Sequence, residues 1–107
     1  MKTKEEVFAE ICKLRACETT NEKGEVVPNY KEMAHLYGTD GVVSSFSPLF
    51  MKGFLSALEY AYKEQLNEKE LEEHWKSIQA EPKRNELTIG ERNGYGFVLD
   101  WTMPKPR

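Results

Sequence analysis

Cysteine and histidine are scarce in this 107-residue chain, which contains two of each. Their spacing gives neither a CxxC nor an HxxxH pair, which excludes a structural zinc site of the usual kind. Cys12 and Cys17 lie in one predicted helix, about 140° apart around its axis, so they do not point toward each other. Because free thiols suit a reducing compartment, the sequence predicts an intracellular, cytoplasmic protein without a metal or a cofactor.

Long apolar runs and an excess of one charge are also missing. No stretch approaches the roughly 18 residues of a membrane span, and the first residues lack the apolar core of a signal peptide. We therefore expect neither a membrane helix nor a secretory leader. The 15 basic and 18 acidic residues leave a net charge of −3, which is not typical of a protein held on nucleic acid by phosphate contacts.

Well-marked helix starts are present instead. Thr3, Asn29 and Asn67 are each followed three residues later by Glu, the spacing of a capping box. Ser47 precedes Pro48, and proline is favoured at the first helical position. These signals predict four helices, at about 4–17, 30–37, 48–66 and 68–80.

The third predicted helix is the most apolar, and we expect it at the centre of the fold. Its apolar side chains cover about half of the circumference, whereas a helix packed on one neighbour needs a stripe of roughly 100°. Its predicted core residues are Phe50, Met51, Phe54, Leu55, Ala57, Leu58, Ala61, Tyr62 and Leu66. The first helix is predicted to bury Val7, Phe8, Ile11, Cys12 and Leu14.

In the last quarter of the chain the apolar residues alternate, which is typical of strands. A three-residue loop ending at Gly94, in the left-handed region, joins two alternating segments, 86–89 and 95–101. This register sets Leu87 opposite Leu99, so that one face of the hairpin is apolar. We therefore predict a C-terminal hairpin whose aromatic face lies on the helices.

The predicted fold class is therefore α+β. Four helices, with the long helix of about 48–66 at the centre, are followed by a C-terminal antiparallel β-hairpin. Residues 25–27 and 42–46 are the two candidates for a short third strand. The length predicts a single domain over residues 1–107, with 102–107 as a flexible tail.

No residue pattern indicates catalysis. Glu32 and His35 form one Glu-x-x-His pair, but a di-iron bundle needs two. The position three before His74 is Leu71, so the second pair is missing. The sequence predicts a non-enzymatic protein without catalytic, cofactor-binding or metal-binding residues.

An irregularity on the polar side of the long helix indicates a binding site. Leu49, Gly53 and Tyr60 lie within about 40° of one another there, among charged residues. Glycine inside a helix costs about 1 kcal/mol relative to alanine, so we expect something to approach the backbone at Gly53. These three residues are the predicted protein-binding site of a regulatory, accessory or inhibitory module. Contact with the chain's own residues 38–46, or ordinary scattered surface residues, are the other interpretations.

The alternative function is nucleic-acid binding by a winged helix. Ala34 and Gly38 have the spacing of a helix-turn-helix, and the predicted hairpin would be the wing. Lys52 at the start of the long helix and Arg92 at the hairpin tip are the residues that would contact nucleic acid. One basic residue at a recognition helix is few for reading base edges, so a protein partner or self-association is the preferred prediction.

Overall fold

The structure, a computed structural model, describes residues 1–38, 47–81 and 85–100. The helices in these ranges are α1 (Lys4–Arg15), α2 (Tyr30–Gly38), α3 (Pro48–Lys63), α4 (Glu68–Gln79) and α5 (Glu86–Val98). Two short strands, β1 (Glu18–Thr20) and β2 (Val26–Pro28), form an antiparallel hairpin between α1 and α2. The predicted strand at 42–46 and the predicted tail at 102–107 lie outside the described residues.

The cap residues in the sequence start the first four helices as predicted. Thr3 and Asn67 each form a complete capping box with the glutamate three residues later. Ser47 caps α3 and Asn29 caps α2, each through a side-chain oxygen that accepts a backbone N–H. Because these oxygens satisfy donors that have no partner inside the helix, the starts were predictable from the sequence.

The predicted C-terminal hairpin is wrong, because this segment forms α5. Asn85 caps the helix and makes a capping box with Thr88, where the other two boxes have glutamate. Gly94, predicted to be left-handed at a hairpin turn, is instead a buried residue of α5. The strands lie near the N-terminus, where the candidate third strand at 25–27 overlaps β2 and pairs with β1.

The core is built around α3, which packs against α1, α2 and α5, while α4 packs on α5. Seven of the nine core residues predicted for the long helix are buried, and Gly53, predicted on its polar side, is buried as well. The largest fully buried side chains are Leu14, Met33, Met51, Phe54, Leu55, Leu58 and Leu71.

The backbones of α3 and α5 come into direct contact. A Cβ atom on Gly90 would overlap the carbonyl oxygen of Phe50, and one on Gly94 would lie 2.6 Å from the Cβ of Ala57. Gly53, one turn before Ala57 on α3, has the backbone of α5 against it in the same way. Only glycine permits so close an approach, which accounts for Gly90 and Gly94 inside a helix.

Candidate protein-binding site

The three residues predicted to bind a partner do not share one surface. Leu49 and Tyr60 are 52% and 45% exposed on α3, and the Tyr60 ring lies edge-on to His74 at 5.5 Å between centroids. Gly53 is buried, since a Cβ there would overlap the carbonyl oxygen of Leu87 in α5. The close approach predicted at Gly53 is therefore made within the chain. Contact of Leu49 and Tyr60 with a partner stays a prediction.

The residues of the winged-helix alternative are also separated. Lys52 is exposed on α3, whereas Arg92 is half-buried in the middle of α5, beside Ile78 and Ile89. Arg92 was expected at the tip of a wing, and residues 85–100 contain no such hairpin. The correction of the fold therefore removes the geometry on which the role of Arg92 depended.

A different surface brings exposed apolar side chains together where α1 meets the C-terminal end of α3. Phe8 and Tyr62 are 48% and 38% exposed, and their ring centroids lie 5.3 Å apart. Tyr62 also borders a cleft of about 70 Å³. Met1, which is 58% exposed, is another residue that lines it. We call this the terminal cleft. It is lined by Met1, Lys2, Lys4, Val7, Ala61, Tyr62, Gln65, Leu66 and Val98.

The residues before α1 cross the end of α5 and form one wall of the terminal cleft. The Lys2 N–H donates to the carbonyl oxygen of Val98 at 2.9 Å. The Lys2 ammonium lies 2.9 Å from Asp100 Oδ1 and 4.7 Å from the centroid of the Phe97 ring. The hydrogen bond and the charge of Lys2 lower the pKa of Asp100. Both the backbone and the side chain of Lys2 therefore fix this wall in place.

The two helices that end at the terminal cleft are followed by left-handed residues that are not glycine. Gln65 after α3 has φ 50°, and Asp100 after α5 has φ 66°. Glycine is usual at such positions because it has no Cβ to clash. Here each side chain binds a lysine, since Gln65 Oε1 accepts a hydrogen bond from Lys4 at 2.9 Å and Asp100 binds Lys2. These two lysines thus tie the start of the chain to both helix ends.

Sequence reasoning missed this surface because it placed Phe8, Cys12 and Tyr62 in the core. Phe8 and Tyr62 are exposed, and so is Cys12, while Cys17 is half-buried. The predicted C-terminal hairpin was expected to lay its aromatic face on the helices. The segment instead forms α5 along the Gly53 side of α3, and no described element covers Phe8 and Tyr62.

Two kinds of site were also sought in the described part of the chain. No three His, Cys, Asp or Glu side chains there lie together as ligands for a metal ion. None of the helices described is both long enough and apolar enough to cross a membrane. Comparison with known proteins finds no family, curated protein or solved structure that matches this chain.

Proposed function

We propose that this chain is a non-catalytic module that binds another protein through Phe8, Tyr62 and the terminal cleft, in a regulatory or inhibitory role. The observation that carries the proposal is the contact between two exposed aromatic rings at the lip of an apolar cleft. Clustered exposed apolar groups mark interaction sites, whereas single ones are ordinary. Aromatic side chains carry a large share of the binding energy at protein interfaces.

The size of the terminal cleft supports a protein partner over a small-molecule ligand. Small-molecule sites commonly enclose about 300–1,000 Å³, whereas this cleft has a volume of about 70 Å³. That volume accommodates one side chain of a partner. The rings of Phe8 and Tyr62 would then form the flat contact area beside it.

Two tyrosines two positions apart on α3 give a matched test of the proposal. Tyr62 and Tyr60 are similarly exposed, at 38% and 45%, but Tyr62 contacts Phe8 whereas Tyr60 contacts His74. We expect Tyr62→Ala to abolish capture of a protein partner from nuclease-treated lysate. Tyr60→Ala should capture the same partner as well as the wild type does. Circular dichroism of both variants checks that the fold is kept.

The opposite result would place the site elsewhere. Loss of capture with Tyr60→Ala alone would favour the face of Leu49 and Tyr60 instead. A partner that disappears on nuclease treatment would indicate nucleic-acid binding, the role for which Lys52 and Arg92 were considered. Equal capture by all three proteins would contradict binding through either face.

A cytoplasmic location is part of the same proposal. Cys12 and Cys17 are both free, and Cys12 is exposed. Exposed unpaired thiols persist in reducing compartments. Thiol titration of protein blocked at the moment of cell lysis should find both thiols reduced, and an intermolecular disulfide through Cys12 would contradict the location.

A further inference from the structure

We infer that the terminal cleft receives an aliphatic side chain of the partner, next to an aspartate or glutamate whose carboxylate pairs with Lys4. This inference rests on the proposed function and names the chemistry of the segment that binds. It follows from the volume of the cleft and from the charges on its wall.

The volume favours a branched aliphatic side chain. An apolar cavity of about 150 Å³ holds a benzene ring, and the terminal cleft has about half that volume. Its apolar lining comes from Met1, Val7, Ala61, Tyr62, Leu66 and Val98. A leucine or valine side chain suits this space, whereas an indole ring is too large to enter it.

The charges on the wall favour an acidic neighbour to that side chain. Of the charged side chains described, those that line the cleft belong to Lys2 and Lys4. Lys2 is already paired with Asp100, whereas the hydrogen-bond partner of Lys4 is the neutral amide of Gln65. The charge of Lys4 is therefore available to attract an incoming carboxylate.

The same charges argue against the chain's own C-terminal residues as the occupant. Residues 101–107 contain Lys105 and Arg107 and no acidic residue. Lys2 and Lys4 would repel these two basic side chains. An acidic segment of another protein complements the charge of Lys4, whereas the side chains of Lys105 and Arg107 carry the same charge as Lys4.

The test is a titration of the isotope-labelled full chain with acetyl-Leu-Glu-amide, followed by the backbone amide signals in nuclear magnetic resonance spectra. We expect saturable shifts at Lys4, Val7, Ala61 and Leu66. Acetyl-Leu-Gln-amide, which lacks only the charge, should bind about two- to fivefold more weakly, the effect of an exposed ion pair. Acetyl-Trp-Glu-amide should not shift the Val7 and Ala61 signals.

Two lysine variants separate a local charge from a general one. In Lys4→Met the Glu and Gln probes should bind equally well, whereas Lys31→Met, an exposed residue of α2, should keep the preference for Glu. Three results would each overturn the inference. They are equal binding of both probes by the wild type, signal shifts elsewhere on the surface, and no binding of the Glu probe. Capture that still depends on Tyr62 would leave the proposed function standing in those cases.

Other occupants of the cleft give their own outcomes. Tighter binding of the Glu probe by Trp101→Ala than by the wild type would show that the chain's own end competes for the cleft. Binding that tightens as the protein is diluted would show competition by a second copy. Either result overturns the inference.

Discussion

Gly90→Ala is expected to destabilise the protein, although alanine is the better helix former. The three atoms nearest to an added Cβ all belong to the backbone of Phe50, among them the carbonyl carbon at 2.8 Å and the Cα at 3.0 Å. Ordinary contact begins at 3.4 Å. Because no side-chain rotation relieves an overlap with backbone, α5 has to move away from α3.

The expected magnitude follows from two opposing effects. Overpacking of a core costs about 1–3 kcal/mol, and the upper end applies here because only backbone can yield. The gain in helix propensity is about 1 kcal/mol. The net loss in the free energy of unfolding is therefore about 2 kcal/mol, which lowers the urea midpoint by about 1 M at an m-value of about 2 kcal/mol/M.

Gly96→Ala is the matched control in the same helix. An added Cβ there meets only the Trp75 ring, at 3.6 Å, which is an ordinary contact. Because there is no overlap, the higher helix propensity of alanine is the remaining effect. We therefore expect Gly96→Ala to raise the free energy of unfolding by up to about 1 kcal/mol. Urea unfolding followed by far-ultraviolet circular dichroism measures both variants. A Gly90→Ala protein as stable as the wild type would refute the close packing of α3 and α5.

Two further predictions concern α5. Asn85→Ala should cost about 1 kcal/mol in the free energy of unfolding, because Asn85 accepts the backbone N–H of Thr88 at the helix start. No loss on urea unfolding would mean that 85–88 is not a helix start. Burial raises the pKa of Glu91, so the folded state binds its proton more tightly and loses stability as pH rises through the range above 4.5. Glu91→Gln should therefore melt at a higher temperature than the wild type at pH 7 and at the same temperature near pH 3. A difference in melting temperature that is equal at both pH values would contradict this prediction.

The four helix starts that could be predicted share a local cause. A cap side chain satisfies backbone donors within three residues, so Thr3, Asn29, Ser47 and Asn67 mark their helices whatever the rest of the chain does. The central place of α3 was predictable for a similar reason. An apolar arc wider than one neighbour can cover has to meet several neighbours.

α5 could not be predicted in the same way, because its helical state depends on a distant contact. Gly90, Gly94 and Gly96 lower its intrinsic helix propensity, and its apolar residues also fit an alternating pattern. Close packing on α3 outweighs both effects, which is a tertiary effect that a local pattern does not contain. The spacing of Gly90 to Gly94, matched by Gly53 to Ala57, was the signal for it.

The exposure of Phe8 and Tyr62 was missed for a separate reason. Phe8 and Tyr62 were predicted to be core residues because each lies on the apolar face of its helix. The last described segment lies along the Gly53 side of α3, and these rings have no cover within the described chain.

The contact between α3 and α5 also fixes their axial register. Sliding α5 by one turn, about 5.4 Å, would place either Glu86 or Val98 where the structure has room only for glycine. The two helices therefore have one alignment, and their C-terminal ends stay level with each other. This alignment keeps Gln65 and Asp100 within 2.9 Å of their lysines, so the glycines of α5 hold the shape of a cleft that they do not touch.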